Sequence, residues 1–194
     1  MGFFRKSVRK SLELSEIDVQ KTGEIQKELE NKNFERAMEM TLDRIENCKD
    51  KDPYAEAHYC HLACDVLMQK HRPKIPPSEC DRAKTLLNRS VEIYTSMEKD
   101  KRIHMMKAAT YLKLASWSLN NGQDEEGLRE VQQGLQISRQ HRFDMKHDVY
   151  ESTIEAGSRI LFDLQLLKKT ARALSKLNAS ASSLKLKHDG RVNL

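Results

Sequence analysis

Proline is scarce: the 194 residues hold four, Pro53, Pro73, Pro76 and Pro77, and none follows Pro77. Glycine is scarce as well, with seven in the whole chain. So few chain breakers argue against a turn-rich sheet protein. Val and Ile are sparse too, while Glu, Lys, Leu, Ala, Met, Gln and Arg, the good helix formers, are abundant. No run of 18 apolar residues occurs, so nothing is expected to span a membrane. The start, Met1-Gly2-Phe3-Phe4-Arg5-Lys6, holds too few apolar residues for a signal peptide. Cys48, Cys60, Cys64 and Cys80 are therefore expected as reduced thiols in the cytoplasm, with the nucleus the other compartment open. A phosphate-binding loop, a dinucleotide turn, an HExxH helix and a nucleophile elbow are all missing. The expectation is a non-enzymatic chain without cofactor or metal.

What is present is enough hydrophobic sequence, 38%, for one domain with a core. The net charge of +5 is unevenly spread. Residues 1–10 carry +4 and residues 164–194 carry +6, which leaves −5 for the residues between. A nucleic-acid-binding body is more often basic itself, so nucleic acid is not the expected partner of this one. The basic ends suit an acidic protein or an anionic membrane. In the arm, Arg5, Lys6, Arg9 and Lys10 stand beside Phe3 and Phe4, a basic and apolar mix that an anchor would use and an unstructured terminus would also show.

Break residues divide the chain into a basic arm over 1–12, a helical domain over 13–177 and a flexible basic tail over 178–194. Within the domain the pattern predicts helices over about 13–30, 34–48, 53–70, 78–97, 101–119, 124–139 and 145–177. Asn31-Lys32-Asn33, the proline-bearing stretch from His71 to Ser78, and Asn120-Asn121-Gly122 are the clearest breaks. Pro53 sits where its missing N–H costs nothing. Ser78 and Asp81 read as a capping-box variant. Gly122 is free to take the left-handed conformation that ends a helix.

The helices come in pairs that look alike. Tyr59, Leu62, Ala63 and Val66 share a face of the third helix, and Tyr111, Leu114, Ala115 and Ser118 repeat the spacing on the fifth. The second, fourth and sixth helices each carry a small residue near their start, Ala37, Ala83 and Gly127, followed seven residues later by Arg44, Ser90 and Gly134. The fifth helix is apolar nearly all round and must be covered on several sides, which places Leu114 and Ala115 between layers. The sixth has only a narrow stripe, Leu128, Val131 and Leu135.

On these residues, and best over 108–139, the sequence resembles the tetratricopeptide repeat in its longer-helix variety. Ala37, Ala83 and Gly127 lie 46 and 44 residues apart, against a usual period of about 34. Another α-solenoid therefore stays open. The resemblance implies an all-α, right-handed solenoid of antiparallel helix pairs, six or seven helices in all, working as a scaffold or adaptor that binds another protein. It carries the family's groove onto Cys60, Cys64, Leu67 and Met68 of the third helix and onto Leu112, Ser116, Leu119 and Asn120 of the fifth. These are mostly apolar, so the implied ligand is an amphipathic helix or apolar peptide. A terminal segment filling that trough, a self-assembling chain, and a nucleic-acid-associated protein using its basic ends are the alternatives. His58, Cys60, His61 and Cys64 cluster on two turns, but a single helix contributes all four, and packing is the expected role.

Overall fold

The computed structural model describes residues 16–72, 74–97, 99–142 and 150–166, with Lys169 and Ser175 as isolated positions. The basic arm and the tail beyond 178 lie outside them, as do the start and the end of the long last helix. All regular structure among the described residues is helical. The elements are α1 (Glu16–Glu30), α2 (Phe34–Cys48), α3 (Pro53–His71), α4 (Pro77–Ser96), α5 (Lys101–Asn120) and α6 (Asp124–Gln140). A further helix, α7, covers residues 150–166. The chain divides into two compact units, Met1–Gly157 and Ser158–Leu194, and the division falls inside α7.

Most helix ends lie where the breaks predict them. Asp52 caps α3, its carboxylate accepting from the Ala55 N–H at 3.0 Å, and Pro53 follows in the first turn. Gly122 takes φ +73°, and the N–H groups of Gly122 and Gln123 reach back to the carbonyls of Leu119 and Ser118 at 3.1 and 2.9 Å. This is the Schellman closure that a glycine favours. Lys32 makes the same closure after α1 at φ +62°, with Lys32 N–H on Leu29 and Asn33 N–H on Glu28. The Asn-rich break announced a turn there, but not that a lysine would take the strained position. The fourth helix corrects the capping-box reading: it starts at Pro77 with Pro76 at the cap and no side-chain cap bond. Two successive prolines, both preset to a helix-compatible φ, move the start ahead of Ser78.

In the first unit each helix packs against the next in the chain from α1 to α6, and α1 also touches α3. One buried cluster joins Ile25, Leu29, Ala37, Cys48, Ala55, Tyr59 and Val66 of α1, α2 and α3. A second joins Cys64, Leu67, Cys80, Ala83, Leu87, Leu114 and Trp117 of α3, α4 and α5. Leu114 and Ala115 are buried, as the apolar circumference of α5 requires.

Candidate protein-binding surface

Helices α3 and α5 are crowded. From Tyr54 to Gln69 of α3 and from Ile103 to Leu119 of α5, no residue is fully exposed. Polar side chains join α1, α3 and α5 directly. Asp18 and Thr22 of α1 meet Tyr59 and His58 of α3, the Tyr59 hydroxyl donating to the Asp18 carboxylate at 3.0 Å. His61 of α3 lies 2.8 Å from the Thr110 hydroxyl of α5. Lys113 of α5 donates to the His61 carbonyl at 3.0 Å and pairs with Asp65 at 2.9 Å.

Helices α4 and α6 cross α3 and α5 at the small residues seen in the sequence. The Ser90 hydroxyl of α4 lies 3.4 Å from the Ala57 carbonyl of α3, and the Cys64 thiol lies 3.4 Å from the Ala83 carbonyl. A Cβ placed on Gly134 of α6 would stand 3.0 Å from the Ala108 carbonyl oxygen of α5, and one on Gly127 would stand 2.8 Å from the Leu119 side chain. These crossings decide what the proposed groove residues do.

Four of the eight groove residues are core instead. Cys60, Cys64, Leu67 and Leu112 are buried. Cys60 lies beside Ser90 of α4, and Cys64 reaches Ala83. Leu67 belongs to the α3–α4–α5 cluster. Leu112 packs where α6 comes closest, its methyl 3.1 Å from a Cβ built on Gly134 and 3.3 Å from one built on Gly157. The physical reason is register: the face assigned to a ligand is the face on which each helix receives its partner. Met68, Ser116 and Leu119 are half-buried, and Asn120 is exposed. Two bridges fix the register of α3 on α5, His61 to Thr110 and Asp65 to Lys113. At that offset Met68 comes level with Ser116. What remains of the trough is a small mixed patch at the C-terminal ends of α3 and α5. The six arm residues, Phe3, Phe4, Arg5, Lys6, Arg9 and Lys10, lie outside the described residues.

The histidine and cysteine cluster of α3 disperses to separate partners: His58 to Thr22, Cys60 to Ser90, His61 to Thr110 and Cys64 to Ala83. Among the described residues no group of three or more His, Cys, Asp or Glu side chains is placed to hold a metal. Burial pushes the Cys60 thiol up to about 11, with the neighbouring Glu56 carboxylate adding to it. Burial pushes the Cys64 thiol up to about 12. Thiols held in that range are inert at neutral pH. A cleft of about 480 Å³ lies between α5 and α6, walled by Lys107, Gln133, Gln136 and Gln140 and by the stacked rings of His104 and His141. Its polar walls differ from the apolar trough expected of a peptide groove.

The exposed apolar residues lie elsewhere. Phe162 is 64% exposed and Leu166 54%, one turn apart on α7. Neither was singled out in the sequence. The available signal was the run Ile160-Leu161-Phe162 with Leu164 and Leu166, which puts apolar side chains on more than one face of a helix. Leu164, between Phe162 and Leu166 on the same helix, is buried. No helix among the described residues is long and apolar enough to cross a membrane. No family model matches this chain, and comparison with curated proteins and with solved structures gives no match either.

Proposed function

We propose that this chain is a non-catalytic scaffold that binds another protein, built as a tetratricopeptide-like stack of antiparallel helix pairs. The succession of helices, each packed on the next, supports the stack. The bridges from α1 to α3 and from α3 to α5 support it further. The observation that carries the binding reading is the exposure of Phe162 and Leu166 on one side of α7. Large apolar side chains left in water at helical spacing usually mark an interaction site. Arg159, Asp163 and Gln165 beside them are exposed and supply a polar rim. An amphipathic helix from a partner, laying its apolar stripe across Phe162 and Leu166, is the ligand this surface fits.

The test is site-specific photocrosslinking with the full chain. A photoreactive residue at 162 or 166 should capture a discrete partner, and one at Glu39 on the exposed side of α2 should not. Against that partner, purified, Phe162→Glu with Leu166→Glu should weaken binding on the order of tenfold or more and leave the melting midpoint unchanged. Equal capture from all three positions, or unchanged affinity in the double variant, would refute the proposal. If the captured protein is a second copy of the chain, light scattering will show a mass that rises with concentration.

A further inference from the structure

The exposed face of α7 is complementary to itself. Ser158, Phe162 and Leu166 follow one another a turn apart along it, a small residue, an aromatic and a leucine, and all three are exposed. On one flank of that stripe stand Arg159 and Asp163, also a turn apart, also exposed, and opposite in sign. All five residues belong to the second compact unit.

A second α7 laid antiparallel across the first, with Phe162 of both copies at the crossing, matches this pattern. A twofold axis there pairs residues that lie equally far on either side of 162. Leu166 of each copy then comes over Ser158 of the other, large on small. Arg159 of each copy comes within a turn of Asp163 of the other, so two equivalent ion pairs form on the same flank. A parallel copy related by a twofold axis puts the charged flanks on opposite sides and forms neither. We infer that the partner seated on Phe162 and Leu166 is a second copy of this chain, joined through an antiparallel pair of α7 helices; this rests on the reading of those residues as an interaction site.

The apolar centre supplies the attraction, because Phe162 and Leu166 of both copies leave water together. The flanking ion pairs are exposed and add little strength, but they select the antiparallel direction. One helix pair is a small interface, so the dimer is weak and reversible. An isologous contact occupies its own surface and closes at two copies.

Sedimentation equilibrium of the full chain, from micromolar to millimolar concentration, tests this. The mass should rise from one chain to two and stop there. Phe162→Glu should keep the chain monomeric, with its melting midpoint unchanged. Arg159→Asp sets carboxylates against each other across the contact and should weaken the dimer by about three- to tenfold. Adding Asp163→Arg exchanges the charges and should restore it, which a partner of any other sequence would not do. A chain that stays monomeric throughout, a mass that grows beyond two, a dimer indifferent to Phe162→Glu, or an exchange that fails to restore it would overturn the inference. If the chain stays monomeric while a photoreactive residue at 162 captures a different protein, the second copy is refuted and the interaction site stands. If that residue captures nothing, both are refuted.

Discussion

The first and last helix pairs of the first unit meet at equivalent positions by opposite means. In α6, Gly134 removes the side chain, and the backbone comes against the Ala108 carbonyl of α5. In α2, Arg44 stands seven residues after Ala37, as Gly134 stands seven after Gly127. Its guanidinium donates to the Asp18 carboxylate of α1 at 2.5 Å and lies over the Tyr59 ring at 5.5 Å. The Asp18 side chain is 5% exposed, so the pair is nearly out of water. Burial works against the arginine's charge, but hydrogen bonds to Asp18 and Tyr59 outweigh it and raise the group above its ordinary value. Ser90 in α4 is the intermediate case, with a small hydroxyl aimed at the Ala57 carbonyl. One sequence position thus carries a charge pair, a hydrogen bond or bare backbone contact, and what it must do in each case is close the crossing.

The largest effect expected from breaking this comparison is at Arg44. Arg44→Ala leaves Asp18 buried without its cation and should cost about 3–5 kcal/mol. Replacing both partners with apolar residues, Asp18→Leu with Arg44→Met, should recover most of that loss, measured as urea midpoints around the cycle. If the double variant is as unstable as Arg44→Ala, the crossing depends on the ion pair itself. Leu114→Ala should cost about 2–5 kcal/mol through lost burial and a cavity between α3, α4 and α5. Gly134→Ala should cost about 1–3 kcal/mol, because the added methyl meets a backbone carbonyl that cannot yield without moving α5. Gly127→Ala meets chiefly the half-buried side chain of Leu119, at 2.8 Å, with the Ala115 carbonyl oxygen farther off at 3.3 Å. There the gain in helix propensity, about 1 kcal/mol, should offset the displaced leucine, and stability should stay near that of the native chain. The smallest effect concerns reactivity alone. Cys60 and Cys64 should resist an aromatic disulfide reagent at pH 8 until denaturant is added, and rapid labelling of the folded chain would show that the α3–α4 contact is open.

Where helices begin and end was largely legible, because breaks act locally. Pro53, Gly122 and Asn31-Lys32-Asn33 impose their geometry whatever surrounds them. Which face of a helix is free was legible for α6, whose narrow apolar stripe leaves one answer. It was not legible for α3 and α5. Their apolar and small residues run nearly all round, so periodicity gives no phase, and the register had to come from resemblance. That register put Cys60, Cys64, Leu67 and Leu112 on an open side, whereas the packing of α4 and α6 closes over them. The small residues at 83, 90, 127 and 134 held the correcting signal, since a helix crosses another where its own side chains are shortest. Phe162 and Leu166 were not legible as exposed, because Ile160, Leu161, Phe162, Leu164 and Leu166 put apolar side chains on more than one face of that helix, and the pattern does not say which face is covered.

The most direct test sets Leu112→Glu beside Phe162→Glu, each followed by thermal melting under circular dichroism. Both put a carboxylate in place of a large apolar residue, and only the first puts it between helices. Leu112→Glu should lose the cooperative transition or melt far below the native chain, while Phe162→Glu should melt with it. A Leu112→Glu variant that melts with the native chain would contradict the account, because the groove face would then be open and the exposed residues of α7 would no longer be the first place to look for a partner.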